Sequence, residues 1–137
     1  MTFDAVSLVF LTIISAATPL LFAALGELVV EKSGVLNLGV EGMMILGAVA
    51  AFAVAAGTGS GMLGVMAGAV AGAALAFVFG VLTLTLAANQ VATGLALTIF
   101  GLGLSSLIGA GYVGIPVQPL AKLAIPGVSD LPLVGPV

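Results

Sequence analysis

The stretch MLGVMAGAVAGAALAFVFGVLTLTLA, residues 62–87, contains no charged side chain. A helix crossing the roughly 30 Å hydrocarbon core of a bilayer needs about 20 apolar residues, whereas a barrel strand needs about 10 with alternating polarity. The run is long and does not alternate, so it reads as a membrane-spanning helix. Small residues recur in it at every fourth position: Gly64, Gly68, Gly72, Ala76 and Gly80. In lipid, small residues let helix backbones approach closely and gain dispersion contact. The ladder therefore marks a candidate packing face within a bundle, although a chain with 20 glycines also produces such spacings by composition.

Three further apolar stretches flank this one, at about residues 5–26, 42–57 and 91–110. The composition agrees: 62% of residues are hydrophobic and 5% charged, with a mean hydropathy of +1.44. Seven charges cannot cover the surface of a soluble domain of 137 residues. Disorder is excluded because disordered chains are poor in apolar residues. The first stretch has Asp4 and no basic residue at its start, unlike a cleaved signal peptide, so it reads as a retained helix. Pro19 lies inside it and removes a backbone donor, which favours a bend.

The second stretch is short for a span. Extending it back to Val35 restores the length but carries Asn37 and Glu41 toward the membrane interior. Polar side chains at depth are costly and usually face protein or a water-filled cavity. Gly34, Gly39 and Gly42 loosen the same region. Two readings stay open here: a broken helix lining a cavity, or an interfacial loop over residues 27–41 followed by a short helix. Asn37 and Glu41 are the candidate functional residues of this region.

Other polar positions carry less. Asn89-Gln90 reads as a polar turn, or alternatively as a gate or partner contact. Glu27 and Glu31, four apart beside Lys32, read most simply as a solvated helix exit, with an intramembrane acid–base pair as the sharper alternative. The chain has no cysteine and no histidine. That removes thiolate chemistry, imidazole catalysis and the usual zinc ligands, and the spacing of Glu27, Glu31 and Glu41 matches no metal motif. No phosphate-binding G-x-x-x-x-G-K-[ST] loop occurs. With two lysines, Lys32 and Lys122, there is no nucleic-acid footprint, and the charges do not set the membrane orientation. No catalytic residue and no cofactor is expected.

The expected fold is all-α: a polytopic membrane bundle of about four helices over residues 1–110. A Pro-rich, non-helical segment follows over residues 111–137, holding five of the six prolines.

Two passages carry a resemblance to a known family. One is ATPLLFAALGE at residues 17–27 followed by EKSGVLNLGVEGMM at residues 31–44. The other is NQVATGLALT at residues 89–98. The tail IPGVSDLPLVG at residues 125–135 adds to them. Together they resemble permease subunits of bacterial ABC importers in the branched-chain amino acid/ribose superfamily, nearest to the nucleoside and simple-sugar branch. The resemblance implies a translocation subunit of an ATP-driven importer in the bacterial inner membrane. It implies a second permease chain, P-loop ATPase subunits and an extracytoplasmic solute-binding lipoprotein as partners. It places the loop over residues 27–41 in the cytoplasm and the Pro-rich segment outside, and it makes Asn37 and Glu41, inside the first passage, the candidates for the translocation pathway. Family members carry a second half with a helix that docks on the ATPase, and that half is expected to be missing here. An ion-coupled secondary transporter and a non-transporting membrane fragment are the alternatives from other classes.

Overall fold

A computed structural model describes residues 2–117, and the greater part of the Pro-rich segment lies outside the described residues. Four helices follow in order: α1 (Thr2–Lys32), α2 (Val40–Thr58), α3 (Gly61–Gly80) and α4 (Gln90–Gly109). A π-helical turn, Val81–Thr85, extends α3, and a 3-10 turn, Ala110–Tyr112, extends α4. All four are long and apolar enough to cross a membrane. Among the described residues there is no strand.

Within the described residues, the chain divides after Gly26. The part of α1 before that point runs through Pro19 without interruption. There the hydroxyls of Thr12 and Thr18 donate to the carbonyls of Leu8 and Ile14, one turn back. Such bonds keep polar side chains satisfied without water.

The unit from Glu27 onward holds the last turns of α1 and the other three helices. Capping sets their ends. Gly34, at φ +83°, closes α1: its N–H donates to the Glu31 carbonyl and the Val35 N–H reaches back to Val30. This six-residue closure requires a left-handed residue, which glycine adopts without a Cβ penalty. α2 ends likewise at Gly59, φ +69°, whose N–H donates to Ala55. Ser60 then starts α3 at once, its hydroxyl accepting from the Leu63 N–H. Asn89 does the same for α4, its Oδ1 accepting from Ala92 N at 3.0 Å.

α2 is the central helix, packed on α3 on one side and α4 on the other. Close approaches pair Gly47 with Gly68 and Gly64 with Ala51 and Ala55, so α2 and α3 are antiparallel. Gly39 meets Gly94, Gly42 meets Leu97 and Gly101, and Val49 meets Gly109, so α2 and α4 are parallel. The small core joins Met43, Leu46, Leu75, Phe79 and Leu97, with Val35, Val49 and Leu104 packed against it. Larger apolar side chains such as Phe77, Ile99 and Leu107 point outward. In a bilayer this carries no penalty, because lipid tails are as apolar as leucine.

The second helix starts at Val40 and not near Val35. Asn37 explains this. Its Oδ1 accepts from the Gly39 N–H at 2.9 Å, a local side-chain turn that competes with helical bonding. The first helical bond of α2 is Met43 N to Gly39 O. Asn37 and Glu41 therefore do not share a helix face. Asn37 sits in the connection, and Glu41 in the first turn of α2.

Candidate functional site

The connection between α1 and α2, residues 33–39, lies against the first three turns of α4. Between the closure of α1 and the first bond of α2 its backbone has no helix or sheet partner, and side chains bond four of its polar groups. Leu36 N donates to Gln90 Oε1 at 2.8 Å. Asn37 N donates to Glu27 Oε1 at 2.9 Å. The Leu38 carbonyl accepts from the Thr98 hydroxyl at 2.9 Å. With the Asn37–Gly39 bond, four consecutive residues are fixed by four side-chain contacts. Backbone outside helix and sheet that packs against protein needs such partners for its polar groups.

Glycines make the close approach possible. A Cβ on Gly94 would stand 2.8 Å from Leu38 N and 2.9 Å from Gly39 N. One on Gly101 would stand 2.5 Å from the Gly42 carbonyl oxygen. The connection and the start of α2 are thus laid directly on the α4 backbone.

The sequence-derived candidates separate in this arrangement. Asn37 is buried, at 6% exposure, and its Nδ2 points at Met43 Sδ, 3.7 Å away. Both ends of its amide are engaged inside the protein. Glu41 is exposed in the first turn of α2, where the helix dipole favours a carboxylate. Asn89 is exposed and lines an open apolar groove with Leu82, Ala92, Thr93 and Phe100. Gln90, its neighbour, turns instead to Leu36. In the small-residue ladder, Gly64 and Gly68 lie against α2, and a Cβ on Gly72 would stand 3.7 Å from the Met43 carbonyl. Ala76 is exposed, and nothing lies within 4 Å of a Cβ on Gly80. A strict four-residue spacing drifts about 40° around a helix per step, so its far end leaves the contact face.

Glu27, read from sequence as part of a solvated exit, is half-buried and bonded to the connection, whereas Glu31 is exposed. The spacing of the two carboxylates gave no sign that they would part. Thr98 and Gly94 also carried no sequence signal of their own, although both lie in the second family-like passage. Among the described residues no three acidic side chains gather as a metal site.

The family model described as the permease component of branched-chain amino acid transport systems matches residues 9–130. The chain belongs to this family. It is 46% identical over 126 residues to a putative glucose ABC transporter permease protein of Haloferax volcanii, covering 89% of this chain and 38% of that one. It is 33% identical over 131 residues to a guanosine ABC transporter permease protein of Bacillus subtilis, covering 87% and 41%. A nucleoside ABC transporter permease protein of Lactococcus lactis subsp. cremoris is 28% identical, with the same coverage. The chain thus spans about two fifths of the length of these relatives. No solved structure matches it. Family and helices together make it a multi-pass protein of the inner membrane.

Proposed function

We propose that this chain lines part of the solute path of an ATP-driven importer for nucleosides or simple sugars. The observation that carries this reading is the non-helical connection 33–39, laid along α4 inside a chain of the permease family. The connection gathers polar backbone and side-chain groups where the end of α1, the start of α2 and the start of α4 meet. The relatives named for glucose, guanosine and nucleosides support the solute class. Asn37 shapes the path by fixing the start of α2, and Glu41, exposed beside that start, faces the solute or gates its passage. ATP hydrolysis belongs to separate subunits. A second permease chain completes the path, and a solute-binding lipoprotein delivers the cargo.

The test is uptake of labelled guanosine and glucose into proteoliposomes holding the full-length gene product with its ATPase and binding protein. ATP-driven uptake is expected, and Glu41→Ala is expected to lower it at least tenfold, roughly, with normal insertion. Glu41→Gln then separates charge from hydrogen bonding. Uptake driven by an ion gradient without ATP, or wild-type uptake by Glu41→Ala, would refute the corresponding part of the reading.

A further inference from the structure

Two adjacent amides of the connection are held by two different helices. The Leu36 N–H goes to Gln90 at the start of α4, and the Asn37 N–H goes to Glu27 in the last turns of α1. Two further polar groups, the Leu38 carbonyl and the Gly39 N–H, are held by Thr98 and by Asn37 itself. Glu27 is the outlier among these side chains. Its Oε2 is enclosed and has no hydrogen-bond partner among the described residues. A carboxylate at a solvated helix exit would keep both oxygens in water. Enclosing one without a donor costs free energy, so the side chain stands here against its own solvation, and its one structural contact is Oε1 on Asn37.

We propose that Glu27 is a positioning residue which, opposite Gln90, clips residues 36–39 between the end of α1 and the start of α4, and so fixes where α2 begins. The chain of consequence is short. Glu27 holds the Asn37 backbone, the Asn37 side chain holds Gly39, and Gly39 accepts the first helical bond of α2. Glu41 lies two residues beyond Gly39, so its place depends on a carboxylate ten residues before Asn37 in the chain. The role of the clip in uptake rests on the translocation reading above, but the clip itself does not.

Amide hydrogen exchange resolved to single residues, on the full-length gene product in nanodiscs, tests the clip without reference to transport. Glu27→Met removes the acceptor and is expected to speed exchange at Asn37 about tenfold, leaving Leu36 protected. Gln90→Met is expected to do the reverse. Glu27→Gln and Gln90→Glu keep an oxygen at each position and are expected to stay near wild type. Should Glu27→Met fail to accumulate, Glu27→Asp reads the same bond, because its carboxylate is one methylene too short. Unchanged exchange at Asn37 on losing the acceptor would overturn the clip, as would equal acceleration in Glu27→Gln and Glu27→Met. In uptake, Glu27→Met is expected to be impaired and Glu27→Gln to recover to within about twofold of wild type. Wild-type uptake by Glu27→Met despite accelerated exchange would overturn the positioning role. If the wild type itself carries neither guanosine nor glucose, the translocation reading falls and the exchange data still decide the clip.

Discussion

The two faces of α2 are closed by different means. Toward α3 the seam joins small residues within two regular helices: Gly47 on Gly68, and Ala51 and Ala55 on Gly64. Toward α4 the same helix meets glycines again, Gly42 on Gly101, but the seam continues past its first residue into backbone that is not helical. There close packing is not enough. Four of its backbone groups take side-chain partners, supplied by Gln90, Glu27, Asn37 and Thr98. Small residues bring helices together in a membrane. Holding an interruption against one takes hydrogen bonds as well.

The largest expected effect comes from blocking the α4 side. Gly101→Leu places a side chain against the Gly42 backbone, which cannot yield as a flexible side chain could. A loss of about 3 kcal/mol or outright failure to accumulate is expected, read as unfolding of the detergent-solubilised protein. Equal stability of Gly101→Leu and wild type would break the picture of direct backbone contact.

On the α3 side the expected loss is smaller and depends on position. Gly68→Leu meets the Gly47 carbonyl, so a loss of about 1–3 kcal/mol is expected. Gly80→Leu has open space and is expected to change stability by less than about 0.5 kcal/mol in the isolated chain. If the two variants are equally damaging, the ladder is a single surface after all, and α3 packs along its whole length.

The smallest effect isolates one bond of the polar seam. Thr98→Val keeps shape and removes the donor to the Leu38 carbonyl. Side-chain hydrogen bonds inside membranes average about 0.6 kcal/mol, and that is the expected loss. A loss several times larger would show that the four contacts act as one network, which a double-mutant cycle with Asn37→Ala would quantify.

The helices were legible in the sequence because apolar length is a local property. The run over residues 62–87 needs no partner to be read as a span, and Asn89 needs only its neighbours to be read as a turn. What escaped was long-range. Glu27 looks like one of a charged pair until residue 37 is brought beside it, and Gln90 looks like turn filler until residue 36 arrives. The ladder was legible as spacing, but its face could not be told from a four-residue count, because the spacing winds around the helix while a partner helix touches one side. For the second span, the structure follows the reading of a loop before a short helix. The loop is confined to residues 33–39, because residues 27–32 continue α1 and Glu41 belongs to α2. The broken helix reaching back to Val35 is not formed, and the loop is nevertheless buried at Asn37 and Gly39.

The turn between α2 and α3 has a kinematic consequence. Gly59 and Ser60 close one helix and open the next with no residue to spare. A hinge needs a few backbone torsions free to absorb a rotation, and here they are already committed to the two caps. The α2–α3 pair therefore has little slack at this end, where two caps abut and the Gly64 backbone lies on Ala51 and Ala55. The connection before Val40 is held differently, by side chains from two neighbouring helices and from Asn37 itself.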